Sequence, residues 1–383
     1  MSSFTFQTAK KVLCAPGALN DVGKLCRSSN VSKIMVITDP GLIRTGIPDR
    51  LHKQLNSTEG IKYAYVYSDV QADPLESSVQ RAVTFAKEND IDGVIGIGGG
   101  SSMDVAKVVA LLHSSKDKLP DIYGINLATG PRLPLFQIPT TAGTGSEVTP
   151  ISILTTETHE KKGIVSDLLF PDYAILDAEL TVGLPANITA MTGIDAMVHA
   201  IEAYTSKLKK NPISDALALQ ALKLLYSSIS IAVQQGENIE ARNKMLQGSL
   251  LAGMAFANAP VGGVHALAYP VGAKFHVPHG LSNSLMLNAV LEYNAHDPIA
   301  AIQYGELADA MMNSHHKSAA TFISVMQELV EYMPIPQSLR EVGIKEKDLT
   351  TLAMDAVNIQ RLLVNNPREI KYNDALALYA ESL

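Results

Sequence analysis

Short apolar runs alternate with stretches of helical period through the first half of the chain. Ile34 to Thr38, Lys62 to Tyr67, Gly93 to Ile97 and Leu135 to Ile138 are each bounded by Gly, Pro, Asp or Ser, as buried strands are. Strands separated by helical segments predict a parallel sheet with helices covering it. Ile151 to Leu154, Ile164 to Val165 and Tyr173 to Leu176 read as later strands. After Pro185 the strand signal stops, and Ala190 to Ser206, Ser214 to Gln234 and Ile239 to Asn258 carry apolar residues at helical spacing. The pattern predicts an α/β domain over residues 1–182 and an all-α domain over residues 183–383.

Met245 to Ala273 carries no charge and is long enough to span a membrane. Its five glycines, with Pro260 and Pro270, interrupt a helix, and His265, Asn258 and Gln247 are costly in lipid. A buried helix, a turn and a second buried helix are expected instead, and no membrane partner.

Composition narrows the function. The 383 residues are 46% hydrophobic and 18% charged, a balance that supports a folded core and excludes general disorder. A formal charge of −7 argues against a nucleic-acid surface, so any phosphate is held locally. Cys14 and Cys26 are too few for a disulfide scaffold and fit a reducing compartment. Met1 to Lys11 lacks an apolar core followed by a small-residue cleavage site, so a cytoplasmic protein is expected.

The segment from Val94 through Gly98-Gly99-Gly100-Ser101-Ser102 to Asp104 runs from a strand through a glycine turn into a helix. Bare backbone and the free N–H groups of a helix start favour a phosphate there, although the spacing is not G-x-G-x-x-G. Asp39 follows the strand Ile34 to Thr38, at the carboxyl end where ligands gather in open α/β sheets. A carboxylate there accepts from ribose hydroxyls and repels a 2′-phosphate, which favours NAD over NADP. Asp39-Pro40-Gly41 alone would pass for an ordinary turn; the glycine loop gives it meaning. The loop Pro139 to Thr149, with Thr140, Thr141, Thr144, Ser146 and Thr149, adds hydroxyls at a third strand end.

Asp195 and His199 lie four residues apart and share a helix face. An isolated pair of this kind is usually a surface contact, so a metal needs further ligands. His265 and His279, in or beside the charge-poor region, supply them. One carboxylate and three imidazoles satisfy a divalent cation and leave a position for a substrate oxygen, with iron(II) and zinc both suitable. His276 is left open between a substrate contact and a ligand, and His52, His113, His159, His296, His315 and His316 read as solvated.

Together these motifs, with Asn366-Pro367-Arg368, resemble the iron-containing, group III alcohol dehydrogenases, relatives of glycerol dehydrogenase and dehydroquinate synthase. The resemblance spans nearly the whole chain. It implies an N-terminal dinucleotide domain, a helical C-terminal domain, a cleft between them and a homodimer. It implies metal ligands at Asp195, His199, His265 and His279. It also implies cofactor contacts at Asp39, Gly98 to Ser102, Thr140, Thr141, Thr149 and Ile151, with Lys162 and Thr181 in addition. Many members carry a second histidine four residues after the position of His265, where this chain has Tyr269, so Tyr269 or His276 is expected on the proton path. The expected reaction is hydride transfer between a small alcohol or aldehyde and NAD. A hydroxyacid–oxoacid transhydrogenase, a dehydroquinate synthase-like lyase and a silent nucleotide sensor remain alternatives.

Overall fold

The computed structural model describes residues 3–157 and 160–383, so His159 lies outside the described residues. Contacts divide the chain into two units. One comprises residues 8–141 and 145–183; the other comprises the N-terminal segment through Gln7, residues 142–144 and residues 184–383. The main division after Gly183 is one residue from the expected boundary, and the two short segments were not anticipated. Their attachment has local causes: Gln7 exchanges backbone hydrogen bonds with the Asn258 side chain, and Gly143 packs on Thr192.

The first unit is α/β. Its strands are β1 (Lys11–Cys14), β2 (Lys33–Ile37), β3 (Tyr63–Tyr67), β4 (Gly93–Gly98), β5 (Gly124–Ile125), β6 (Leu135–Pro139), β7 (Ile151–Thr155), β8 (Lys161–Val165) and β9 (Tyr173–Leu176). Six form one parallel sheet in the order β1-β9-β6-β4-β2-β3. The other three form a small sheet, β5-β8-β7, in which β7 and β8 are antiparallel. The central strands are apolar at successive positions because both faces are covered. Ile34, Val36, Ile95 and Ile97 pack on one side with Val22, Leu51 and Leu55. Met35, Ile37 and Val94 pack on the other with Ala82, Val105 and Val109. Strand β1 escapes the sequence pattern because it is a four-residue edge strand with two exposed positions, and β5 is only two residues long.

The second unit is helical. The helix Ala186–Thr205 begins directly after Pro185, four residues earlier than its apolar pattern suggests. The expected Ser214 to Gln234 helix is two, Pro212–Tyr226 and Ile229–Gln234, parted at Ser227 and Ser228. Ile239–Asn258 and Gly263–Phe275 bracket the anticipated turn, but Pro270 sits inside the second helix rather than ending it. That pair is bent by 104°, and no single helix among the described residues is long and apolar enough to cross a membrane.

Candidate active site

In the α/β unit, chain order and sheet order diverge at β2, which lies between β3 and β4. The carboxyl ends of β2 and β4 therefore flank a topological switch point, where open α/β sheets receive ligands. Gly98 ends β4 with φ +145°, a conformation suited to glycine. A Cβ on it would stand 2.8 Å from Ser102 Oγ and 3.3 Å from Asp39 Oδ2, which shows how closely the two loops approach. Gly99 is different: its nearest neighbour would be Thr141 Oγ1 at 3.8 Å, so its bare face is open. The helix Gly100–Ser114 starts there without a side-chain cap, leaving its first N–H groups and dipole directed at that space. Asp39 accepts from Leu42 N through Oδ1.

Behind the glycine turn, Lys107 is fully buried. Its ammonium donates to Ser146 Oγ (2.7 Å), Thr149 Oγ1 (3.2 Å) and the Ile151 carbonyl (2.7 Å), with Asp104 Oδ1 at 3.6 Å. Asp104 accepts from Ser146 Oγ at 2.7 Å and Ile153 N at 2.9 Å. Burial drives the Asp104 carboxyl up and the Lys107 ammonium down, while their mutual attraction opposes both shifts. Asp104 and Thr149 thus tie the threonine loop to the glycine-turn helix. Thr140 N donates to the Gly98 carbonyl at 3.0 Å. Thr181 is buried and bonds the Ala178 carbonyl. Lys162 is exposed beside Glu160.

In the helical unit, three helices bring four donors together. Asp195 and His199 project from Ala186–Thr205, His265 from Gly263–Phe275, and His279 from the first position of His279–Asn294. One ligand atom from each lies within 4.8 Å of all the others. His199 Nε2 is 3.1 Å from His265 Nε2, and Asp195 Oδ1 is 3.6 Å from His279 Nε2. Gly280 permits the approach, because a Cβ there would stand 2.4 Å from the Met191 carbonyl oxygen of the facing helix. Asp195, His199 and His265 are buried, whereas the His279 side chain is 34% exposed, so the cluster opens on that side.

The partners of these residues fit a cation. His265 Nδ1 is 2.6 Å from Glu202 Oε2, and Glu202 Oε1 accepts from Val264 N at 2.7 Å. His199 Nδ1 is 3.2 Å from the Gly143 carbonyl. Acceptors at both Nδ1 atoms place the ring hydrogen there and leave each Nε2 lone pair facing the cluster. Burial pushes the His199 imidazole down to about 3, against the attraction of Asp195, so it is neutral near pH 7. Burial raises the Asp195 carboxyl, but attraction to the neighbouring histidines in their protonated form and the hydrogen bond from Asn283 outweigh it and hold the group below its ordinary range. A neutral-imidazole and carboxylate set of this kind suits iron(II) or zinc. Asn283, four residues after His279, donates to Asp195 Oδ1 at 2.6 Å. Around the cluster, Phe256 stacks on His199 at 4.2 Å, and the Tyr269 ring lies 5.9 Å from that of His279.

The family pattern described as iron-containing alcohol dehydrogenase matches residues 9–178, and that of the Fe-containing alcohol dehydrogenase family, C-terminal, matches residues 189–383. The chain belongs to the iron-containing alcohol dehydrogenases. It is an oxidoreductase acting on alcohols and aldehydes, which sets aside the lyase and the silent sensor. Its sequence is 37% identical to sulfoacetaldehyde reductase of Bilophila wadsworthia, over 98% of each chain. A solved 1,3-propanediol oxidoreductase superposes with a TM-score of 0.95 at 32% identity, covering both chains completely. A sulfoacetaldehyde reductase of Bifidobacterium kashiwanohense, solved in complex with NAD+, gives 0.90 at 28% identity, covering 100% of this chain and 99% of that one.

His276 is exposed, closes its helix in the left-handed region and stands outside the four-donor group. Of the two residues expected on the proton path, Tyr269 is the one whose ring adjoins the cluster. Lys107, Glu202 and Asn283 were not singled out from the sequence. A lone lysine in an apolar helical run, and an asparagine four residues after a ligand histidine, were the available signals.

Proposed function

We propose that Asp195, His199, His265 and His279 hold one divalent cation, with Glu202, the Gly143 carbonyl and Asn283 fixing their orientation. NAD is assigned to Asp39, the Gly98 to Ser102 turn and the Thr140, Thr141 and Thr144 hydroxyls, on a frame tied by Asp104, Lys107 and Thr149. The observation that carries the reading is the convergence of four donors, two of them imidazoles whose Nδ1 atoms face acceptors. Iron is the metal of the family, and zinc suits the same donors. A cation held by Asp195, His199, His265 and His279 would supply polarisation of the substrate oxygen, and NAD would supply the hydride acceptor or donor for the attached carbon.

This chain's residues supply the rest. Glu202 keeps His265 in the tautomer that presents Nε2, and Asn283 directs Asp195 Oδ1. Phe256 gives an apolar wall that excludes water beside His199. To the Tyr269 hydroxyl we assign a proton or hydrogen-bond exchange with substrate, supported by the nearness of its ring to those of His265 and His279. Residues 151, 162 and 181 take outer roles: Ile151 through its carbonyl to Lys107, Thr181 by closing the turn after β9, and Lys162 at an exposed edge. The substrate is a small alcohol or aldehyde. The protein works in the cytoplasm as a homodimer, a state light scattering would read directly.

Chelator-dialysed protein should lose NAD-linked alcohol oxidation and regain it with iron(II) or zinc, whereas His265→Ala should bind NAD yet gain nothing from added metal. Full activity of the metal-free variant would overturn the assignment. Turnover between a hydroxy acid and an oxo acid without added NAD would instead reveal a transhydrogenase.

A further inference from the structure

The Tyr269 ring bears on the donor cluster on one side and on a cation on another. Its centroid is 6.4 Å from that of His265 and 5.9 Å from that of His279, and the Arg361 guanidinium carbon is 5.5 Å from it. The negative face of a phenol ring attracts a guanidinium. Arg361 is exposed, and among the described residues no carboxylate pairs with it. Lys274, on the helix that carries Tyr269, is already paired with Asp355 at 2.9 Å. Arg361 is therefore an uncommitted positive charge over the ring that adjoins the cluster.

The segment that bears it is anchored to the site. Asn365 Nδ2 donates to the Arg361 carbonyl at 3.1 Å and to the Val261 carbonyl at 2.9 Å. Asn366 Oδ1 accepts from Gly263 N, the first residue of the His265 helix, at 3.1 Å. Asn366 also exchanges hydrogen bonds with Asn294 at 2.8 and 3.0 Å. These three asparagines are buried, so the backbone under Arg361 is fixed relative to the turn that starts the histidine helix. A planar, always-charged group held this way is suited to a carboxylate or sulfonate, which it can grip through two parallel N–H bonds.

We propose that Arg361, seated on Tyr269, receives an acid group at the end of the substrate remote from its reacting oxygen. The preferred substrates are then short aldehydes and alcohols carrying one carboxylate or sulfonate. This rests on the reading of the four-donor cluster as the place where the substrate oxygen is held. Tyr269 serves as the platform that aims the cation, and the apolar surface of Phe256 contacts the carbon chain.

The test compares propanal, malonate semialdehyde and sulfoacetaldehyde as substrates of the metal-loaded enzyme with NADH. At least one acid should exceed propanal in kcat/KM by about tenfold or more, the scale of a charge-assisted hydrogen bond. The better acid identifies the headgroup. Arg361→Gln should lower kcat/KM for that acid by about 10- to 100-fold more than for propanal, through KM, and Arg361→Lys should restore part of the difference. Equal use of all three aldehydes, or an unaltered ratio in Arg361→Gln, would overturn the proposal. Calorimetry with the dead-end anions ethanesulfonate and propanoate gives a readout independent of turnover. Binding weakened by Arg361→Gln supports the anion site, and binding indifferent to the substitution overturns it. If no aldehyde is reduced while ethanesulfonate binding depends on Arg361, the anion site stands and the proposed reaction falls.

Discussion

Replacing Glu202 with alanine is the sharpest perturbation of the donor cluster that leaves all four proposed ligands in place. The carboxylate accepts from His265 Nδ1 at 2.6 Å and from Val264 N at 2.7 Å, and both residues are at most 2% exposed. Truncation strands two buried donors, a cost of about 1 to 3 kcal/mol each where no water replaces the acceptor. It also frees the His265 ring to rotate or shift its hydrogen to Nε2, which removes a ligand lone pair. Loss of such a partner lowers metal affinity by about 10- to 100-fold, or roughly 1.4 to 2.7 kcal/mol. Glu202→Gln separates the two effects. Its single acceptor oxygen can serve either Val264 or His265, and its NH2 group opposes the remaining donor, so side-chain volume is kept while the tautomer is no longer fixed. Competition for zinc or cobalt(II) against a chelating dye should show weaker binding in both variants. Urea unfolding in excess chelator measures the structural cost separately. Metal binding by Glu202→Gln as tight as in the parent protein would refute the argument that this carboxylate sets the His265 tautomer.

Three other outcomes follow from the α/β unit. Glu147 is buried, its Oε1 has no hydrogen-bond partner among the described residues, and burial pushes its carboxyl from near 4.5 up to about 7. The folded protein therefore holds this proton longer than the unfolded chain. The group's contribution is fully present below about pH 4.5 and is lost as pH rises through 7, by about 3 kcal/mol in all. Urea midpoints across that window should vary less in Glu147→Gln, and an unchanged slope would count against the shift. Asp39→Ser keeps an oxygen able to cap Leu42 N while removing the charge, and should raise kcat/KM with NADP relative to NAD about tenfold. A preference for NAD unaltered in steady-state kinetics would remove Asp39 from the ribose site. Gly98→Ala meets both the positive φ and Ser102 Oγ at 2.8 Å. It should cost about 1 to 3 kcal/mol of stability and weaken NAD binding in a fluorescence titration.

The sequence carried the fold well where burial imposes a strong local pattern. Strands such as Ile34 to Thr38 are apolar at successive positions because alternate residues enter two different cores, and that is visible without coordinates. Strand β1 exists because β9 is available to pair with it, which no local pattern encodes. The break at Ser227 and Ser228 is equally quiet, since serine is tolerated inside helices. Within the site, Asp195 and His199 are legible as an i,i+4 pair, and the helix Ala186–Thr205 presents them on one face. Glu202 lies on that same helix, but a helical glutamate is usually solvated, and only the approach of His265 gives it a buried partner. Asn283 had the spacing of a ligand-face residue after His279 yet lacked the chemistry that draws notice. His276, left open from the sequence between a substrate contact and a ligand, stands exposed in a left-handed turn at φ 54° and outside the four-donor group. Spacing along one helix is a local property, whereas the partners that fix a tautomer come from elsewhere in the fold.

Anomalous diffraction at the iron edge, from crystals of protein loaded anaerobically with iron(II), addresses the central claim most directly. The account predicts one peak per chain, within bonding distance of Asp195, His199, His265 and His279, and its loss in His265→Ala crystals. A peak bound by other residues, or none at that cluster in fully active protein, would contradict it.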